Sequence, residues 1–215
     1  MKVGIIGAGA AGLAAAYELA IAGVKVVVCE KASFVGGQAS TFDVESTPLE
    51  RGYHHLFTSD TDILSLMSAI GLSDRMEWHE SKVGIFYGGK IFNFVTPLDL
   101  LKFSPLSILD RIRMGLVTMI LKTKKDWKAL ENVTTDEWIK TWAGKRIYEV
   151  VWGPLLRGKF GDRHYNEIGM PWFWGKIHTR FASRGKNMAK ELLGYPKGSF
   201  GEIFDTLAKK IELMG

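Results

Sequence analysis

Glycines near the start of the chain recur at the spacing of a nucleotide-binding turn. Gly7, Gly9 and Gly12 lie between an apolar segment and a run of helix-forming residues. In such a turn the first glycine permits a tight bend, the second lets the backbone approach a pyrophosphate, and the third lets the helix pack against the strand. Backbone N–H groups of the turn, including those of Ala10 and Ala11, then donate to phosphate oxygens. The spacing therefore predicts a dinucleotide site.

An acidic residue completes this unit. Glu30 lies 18 positions after Gly12 (30 minus 12), at the end of a second apolar segment. A carboxylate near this distance accepts hydrogen bonds from an adenosine ribose, and it would repel the 2′-phosphate of NADP. The unit alone does not separate FAD from NAD, because both contain the adenosine diphosphate half that this fold binds.

Two further glycine segments narrow the choice of cofactor. Gly36 and Gly37 follow the acid, and Gly52 lies in a later loop. With these segments the chain resembles the N-terminal half of a member of the FAD-dependent amine oxidase superfamily. That superfamily includes protoporphyrinogen oxidases, carotenoid and squalene desaturases and monoamine oxidases. Its members open with a glycine turn, an acid, a Gly-Gly pair and a glycine-containing loop that passes by the flavin.

The resemblance implies FAD as the cofactor and gives its residues their roles. It implies that Glu30 holds the ribose, that Lys31 and Gln38 flank the cofactor, and that residues 52–54 lie near the isoalloxazine ring. Many members carry arginine where this chain has Gln38, so a positive charge toward the diphosphate is missing here. The predicted cofactor-binding residues are Gly7, Gly9, Ala10, Ala11, Gly12, Glu30, Lys31, Gly36, Gly37, Gln38, Gly52, Tyr53 and His54.

Catalytic residues are not assigned by the sequence. His54 and His55 could act as general bases, since imidazole titrates near neutral pH. In a flavoenzyme, however, the cofactor carries the difficult chemistry, and the protein mainly binds and orients. We therefore favour a positional role for these histidines over proton transfer. No metal site is predicted, because no spacing such as His-Glu-x-x-His occurs.

The pattern of elements predicts an α/β fold with a Rossmann-like domain and a mainly helical insertion, and the resemblance implies that the first binds FAD and the second forms the substrate domain. We expect the first part of the FAD-binding domain over residues 1–82, a hairpin and the helical substrate domain over 83–194, and a return helix over 195–215. Only Val3–Ile6 and Val24–Cys29 read as parallel strands, so one flank of the doubly wound sheet is unaccounted for. We expect a missing C-terminal part, or a second chain, to complete the fold.

Local signals predict further elements. Residues 83–94 alternate around Gly88-Gly89, which indicates a β-hairpin. Helix starts are predicted from capping residues, at Ser59-Asp60, Thr96-Pro97, Ser104-Pro105, Thr134 with Glu137, and Ser199 with Glu202.

Composition limits the classes of partner. The chain has 215 residues, of which 47% are hydrophobic, so it can bury a core and is not disordered. Its single cysteine, Cys29, excludes an internal disulfide and is expected to be buried in the second strand, in a protein of the cytoplasm. The net charge of +5 is not accompanied by a nucleic-acid motif, so no nucleic-acid partner is predicted.

Two segments of the insertion have alternative interpretations. The apolar helix Pro105–Leu121 precedes Lys122, Lys124, Lys125 and Lys128, which would suit a peripheral site on an anionic membrane. A helix that faces its own core and ends in solvated lysines is the favoured interpretation. Similarly, Gly153–Gly161 and Trp172–Trp174 could line a channel for an apolar substrate, although aromatic residues that fill a core are favoured.

The resemblance implies an enzyme in which an apolar small-molecule substrate loses hydride to the flavin. An isoprenoid or a porphyrinogen-like compound ranks above an amine, because the helical insertion is rich in Leu, Ile, Phe and Trp. Two alternatives stay open. One is a flavin-dependent sugar-nucleotide mutase, since Gly52–His54 resembles a Gly-Pro-His segment without the proline. The other is a noncatalytic flavin-binding subunit.

Overall fold

The computed structural model describes residues 1–182, 184 and 191–215, which form two compact units. The first unit comprises residues 1–79 and 193–215, and the second comprises residues 80–192. These limits lie beside the expected boundaries at 82/83 and 194/195. Each unit has its own hydrophobic core. The part of the predicted helical insertion at 183 and 185–190 lies outside the described residues.

The strands, in chain order, are β1 (Lys2–Ile6), β2 (Lys25–Cys29), β3 (Thr41–Val44), β4 (Thr47–Glu50), β5 (Leu56–Phe57), β6 (Met76–Glu80), β7 (Gly84–Tyr87), β8 (Lys90–Asn93) and β9 (Leu192–Pro196). The α-helices are α1 (Ala10–Ile21), α2 (Thr61–Ala69), α3 (Pro97–Lys102), α4 (Ile108–Thr123), α5 (Thr135–Trp142), α6 (Lys145–Ile147), α7 (Gly153–His164), α8 (Met170–Ala182) and α9 (Gly201–Leu213).

The first unit is organised by a parallel pair of strands. β1 pairs with β2 in register from Lys2 opposite Lys25 to Ile6 opposite Cys29, and α1 connects the two strands. α9, from the other end of the chain, packs against α1. Leu13 and Tyr17 of α1 and Leu207 of α9 are buried in the same core. A βαβ unit therefore forms as predicted, with α9 as a second covering helix.

One face of this parallel pair is open within the described part of the chain. Burial alternates along both strands, so every second residue is exposed, and Ile6 is 95% exposed. Cys29, the last residue of β2, is also exposed. The expectation of a buried Cys29 is wrong because strand alternation places it on a face that no other described element covers.

Other strands of the first unit are antiparallel or mixed in order. β3 and β4 form a hairpin, and β9 lies between β5 and β6 in a three-stranded sheet. The sequence predicts only a helix over 195–215, whereas residues up to Pro196 are extended. β9 was missed because its five residues lack a clear alternation and gain stability from two neighbouring strands.

The second unit is mainly helical, and its hairpin is confirmed. β7 pairs with β8 in an antiparallel ladder from Gly84 opposite Asn93 to Tyr87 opposite Lys90. Phe173 of α8 is buried in the helical core, and Trp172 and Trp174 pack against that core, as favoured. α4 buries Met114, Val117 and Leu121 there but leaves its opposite apolar face exposed. The interpretation of α4 as a helix that faces its own core is therefore correct for one face only.

Two predicted helix caps are formed, and both are capping boxes in the structure. Thr96 Oγ1 accepts a hydrogen bond from the Asp99 N–H at 3.1 Å, and Thr134 Oγ1 accepts one from the Glu137 N–H at 3.2 Å. In both cases the acidic side chain reaches back to the N–H of the capping residue. These helix starts were predictable because the capping box is made within four consecutive residues.

Three predicted caps differ from the structure. α4 begins after Ser107 rather than at Ser104-Pro105. Asp60 precedes α2 but makes no capping bond, because its carboxylate accepts from the Phe57 N–H at 2.9 Å. Ser199 makes no capping box either, since its φ is +76° and Glu202 pairs with Arg75 at 3.1 Å instead. The Glu202 carboxylate therefore pairs with the distant Arg75 and not with the N–H of Ser199.

Candidate cofactor site

The glycine turn leads directly from β1 into α1. Gly7 has a φ of +96°, which favours glycine, and its N–H donates to the Cys29 carbonyl at 2.7 Å. Gly9 is the N-cap of α1, and because it has no side chain, no side-chain hydrogen bond caps the helix. The N–H groups of the first helical turn have no partner within the helix. They form an anion-binding end, at which the helix dipole also favours negative charge.

Gly12 and Gly9 have different steric roles. A Cβ at Gly12 would lie 2.0 Å from the Gly7 carbonyl oxygen, so helix and strand could not pack as they do. A Cβ at Gly9 would have no atom within 4 Å, so the space beside it is open. This open space at the turn fits a diphosphate that approaches the backbone closely. The structure therefore agrees with the steric roles that the glycine spacing predicts for Gly9 and Gly12.

The second and third glycine segments are hydrogen-bonded into one cluster with the turn. The Gly36 N–H donates to the Ala8 carbonyl at 2.8 Å, and the Gly52 N–H donates to the Gln38 carbonyl at 2.9 Å. Gly36 has a φ of +90°, and a Cβ there would lie 3.0 Å from Cδ2 of Phe204. Segments that are far apart in the sequence therefore meet at the beginning of α1.

Glu30 is held at the same place by backbone hydrogen bonds. Its carboxylate accepts from the Ala32 N–H at 2.8 Å and from the Ala8 N–H at 2.6 Å. These bonds, that of Ala32 above all, hold the pKa of the Glu30 carboxyl below its usual range, because they stabilise the charged form. A carboxylate has about four acceptor positions, so both oxygens can still accept from ribose hydroxyls. The residues present therefore fit the adenosine half of FAD.

The lowered pKa of Glu30 predicts a pH dependence. The stabilising contribution of this carboxylate is complete above the ordinary glutamate pKa of 4.5 and is lost as the pH falls through the lowered value. We expect wild-type protein to be more stable than Glu30→Gln at neutral pH, and the difference to shrink in acid. Urea unfolding at a series of pH values measures it, with the exposed Glu18→Gln on α1 as the control. A difference that grows in acid would contradict the assignment.

The remaining predicted residues lie on the surface of this cluster. Lys31, Gln38 and Tyr53 are exposed. Tyr53 is 75% exposed, and its hydroxyl lies 3.3 Å from that of Tyr195. The His54 Nδ1 hydrogen-bonds to the Gly52 carbonyl, which holds the ring to its own loop. This contact agrees with a positional role for His54, which stays a prediction.

The structure adds aromatic residues that the sequence did not assign to the site. Tyr195 lies on β9, and burial raises its pKa to about 12, with a further contribution from the hydrogen bond to Tyr53. The ring centroid of Phe200 lies 5.8 Å from that of His54. The ring of Phe204 lies beside Gly36. The return helix expected over 195–215 was the one sequence signal that pointed here. The contacts of Tyr195, Phe200 and Phe204 with this site form only when folding brings distant segments of the chain together.

Neither a metal-binding cluster nor a membrane-spanning helix occurs in the described part of the chain. Residues 1–182, 184 and 191–215 contain no group of three or more His, Cys, Asp or Glu that could hold a metal ion. Within the same residues, no helix combines the length and the apolar character needed to cross a bilayer.

Comparison with known proteins identifies the family. The sequence model for flavin containing amine oxidoreductases matches residues 10–188. The mitochondrial protoporphyrinogen oxidase of Nicotiana tabacum is 26% identical over 189 residues, which cover 85% of this chain and 37% of the relative. A zeta-carotene desaturase of Synechocystis sp. is 30% identical over 181 residues, which cover 72% of this chain and 36% of the relative.

Solved structures confirm the fold. An oxidoreductase from Methanosarcina mazei superposes with a TM-score of 0.71 at 20% identity, covering 100% of this chain and 50% of that one. A putrescine oxidase variant superposes with a TM-score of 0.72 at 19% identity, covering 98% and 49%. The chain thus spans about half the length of these structures, and less of the two curated relatives. The predicted family, the α/β fold and the flavin cofactor are confirmed, and the chain belongs to the flavin containing amine oxidoreductase family.

Proposed function

We propose that this chain forms the cofactor-binding part of an FAD-dependent oxidoreductase that acts on an apolar or conjugated small molecule, of isoprenoid or porphyrinogen-like type. The observation that carries the proposal is the hydrogen-bonded cluster of three glycine segments and Glu30 at the beginning of α1. When bound, FAD supplies the isoalloxazine ring that accepts hydride from the substrate.

The residues of the chain bind and orient the cofactor. The amides of the turn at Gly9 hold the diphosphate, and the ionised Glu30 holds the ribose. The Gly52 N–H donates to the Gln38 carbonyl, which ties the loop that carries Tyr53 and His54 to the glycine cluster. Positioning of this kind is the main contribution of the protein in flavin chemistry.

The substrate class is inferred from the relatives and from composition. Two relatives are named for protoporphyrinogen and for zeta-carotene, which are large conjugated or apolar compounds. A structural neighbour is named for putrescine, a polar amine, but at 19% identity it informs the fold alone. The apolar character of the helical insertion favours the first class.

The cofactor assignment is tested by exchange of Glu30. We expect purified protein to be yellow and to release FAD on denaturation. We expect Glu30→Ala to bind FAD about 10- to 100-fold more weakly, since hydrogen bonds to a charged group are stronger than neutral ones. Flavin absorbance and equilibrium titration with FAD measure the effect. Glu18→Ala, an exposed acid on α1, is the matched control. Equal FAD affinity of both variants and wild type would remove Glu30 from the site.

Substrate class is tested separately in the FAD-loaded protein. Without oxygen, a porphyrinogen, an isoprenoid polyene and a diamine are each added, and loss of flavin absorbance is followed. We expect bleaching by a member of the first two classes. Bleaching by the diamine alone would replace the proposed substrate class, and colour that persists with every compound would favour the noncatalytic flavin-binding subunit.

A further inference from the structure

Helix α4 carries a second apolar face that the core does not use. Its large apolar residues Ile108, Leu109, Ile112, Leu116, Met119 and Ile120 are all exposed, Leu109 to 79%. At 3.6 residues per turn they fall within an arc of about 120°. The buried residues of α4 lie on the opposite side, and none of the charged residues of α4 falls inside the arc. We call these six residues the α4 exposed face.

Positive charge borders this face and continues beyond its C-terminal end. The segment 122–128 contains four lysines and one aspartate, which gives a net charge of +3 (4 minus 1). The Trp174 Nε1–H donates to the Lys124 carbonyl at 2.8 Å, which fixes the segment beside the helical core. Within the described part of the chain, Lys124, Lys125 and Lys128 make no ion pair with a carboxylate. These charges are therefore available to an anionic partner.

Exposed tryptophans lie at the border of the same region. Trp127 lies within the lysine segment, directly before Lys128, and is exposed. Trp142 is exposed, and its carbonyl accepts from the Arg113 Nε–H at 2.8 Å, so it lies beside α4. Tryptophan is the residue type most suited to the boundary between hydrocarbon and water, because its ring is apolar and its N–H is polar.

We propose that the α4 exposed face and the lysines of 122–128 dock this protein on the surface of an anionic lipid bilayer. An apolar helical face bordered by Lys and Arg lies in the plane of such a surface, with its apolar side chains in the acyl boundary. A second copy of the chain would fit less well, because its own segment 122–128 has the same net positive charge and offers the lysines no concentrated negative charge. The proposal does not depend on the proposed flavin chemistry.

Vesicle sedimentation tests the proposal with the full protein. We expect binding to vesicles of equimolar phosphatidylcholine and phosphatidylserine, weakened by added salt, and little binding to phosphatidylcholine alone. The double variant Leu109→Glu with Leu116→Glu should lower the partition coefficient by about a hundredfold or more, since each loses the burial of an apolar side chain. The triple variant Lys124→Ser, Lys125→Ser and Lys128→Ser should lower it by about a hundredfold, at about fivefold for each lysine.

The control is Leu213→Glu on α9, where the leucine is 87% exposed and lies outside the α4 exposed face. It should bind vesicles like wild type, and far-UV circular dichroism should show the same helix content in every variant. Equal binding to neutral and anionic vesicles would overturn the proposal, as would full binding by the double leucine variant. So would a protein that ignores vesicles but self-associates through this face, with association lost in Leu109→Glu, Leu116→Glu.

Discussion

Gly12→Ala is expected to destabilise the first unit by about 3 kcal/mol, the upper part of the usual range for a methyl group inserted into a packed site. The new Cβ would lie 2.0 Å from the Gly7 carbonyl oxygen, which is backbone and cannot rotate away. Relief requires α1 to move from β1, and this displaces the amides of the turn. We therefore expect FAD retention to be lost as well. Urea unfolding and flavin absorbance measure the two effects.

Gly9→Ala on the same turn is the matched control for this steric argument. Gly9 has a φ of −76°, which alanine adopts readily, and its Cβ would meet no atom within 4 Å. Its stability should equal that of wild type, while its affinity for FAD should fall, because the methyl group occupies the space where the diphosphate approaches the backbone. Wild-type stability of Gly12→Ala would show that the turn can adjust, and the assigned role of this glycine would be wrong.

Leu207→Ala is expected to destabilise the protein by about 2–5 kcal/mol, the range for truncation of a buried leucine to alanine. Leu207 is fully buried on α9, the helix that packs against α1. The same helix contains Phe204, which lies beside Gly36. Truncation leaves a cavity in the core that also contains Ala8 and Phe204, so FAD affinity should also decrease. Chemical unfolding monitored by circular dichroism gives the first quantity and FAD titration gives the second.

Leu213→Ala supplies the comparison, since it removes the same atoms from the exposed end of the same helix. Its free energy of unfolding should lie within about 0.5 kcal/mol of wild type, as for surface positions in general. If the two leucine variants are equally stable, α9 does not pack as described. If Leu207→Ala is destabilised but binds FAD like wild type, the core under the glycine segments does not support the site.

The helix starts show which features neighbouring residues alone can predict. The helix starts at Thr96 and Thr134 were predictable because the capping residue and its partner lie within four residues. Ser199 begins an equally good local pattern, yet Glu202 pairs with Arg75, which is 127 positions away. A local bond is formed only where no stronger distant partner competes for the same side chain.

Helix faces show a second limit. The periodicity of α4 indicates apolar residues but does not say which of its two apolar sides is covered. The structure buries Met114, Val117 and Leu121 and exposes the side with Leu109 and Leu116. The same limit applies to Cys29, whose apolar neighbours suggested burial. Coverage is a property of neighbouring elements, and these are distant in the chain.

For the cofactor site, the sequence was sufficient to predict the turn at Gly7, Gly9 and Gly12 and the acid at Glu30. Their spacing restricts φ, Cβ volume and hydrogen bonding over a single βαβ unit. The bonds from Gly36 to Ala8 and from Gly52 to Gln38, and the contact of Phe204 with Gly36, could be found only in the folded chain. These contacts join segments whose approach depends on burial of a shared core, and burial is set by the whole chain rather than by the order of neighbouring residues.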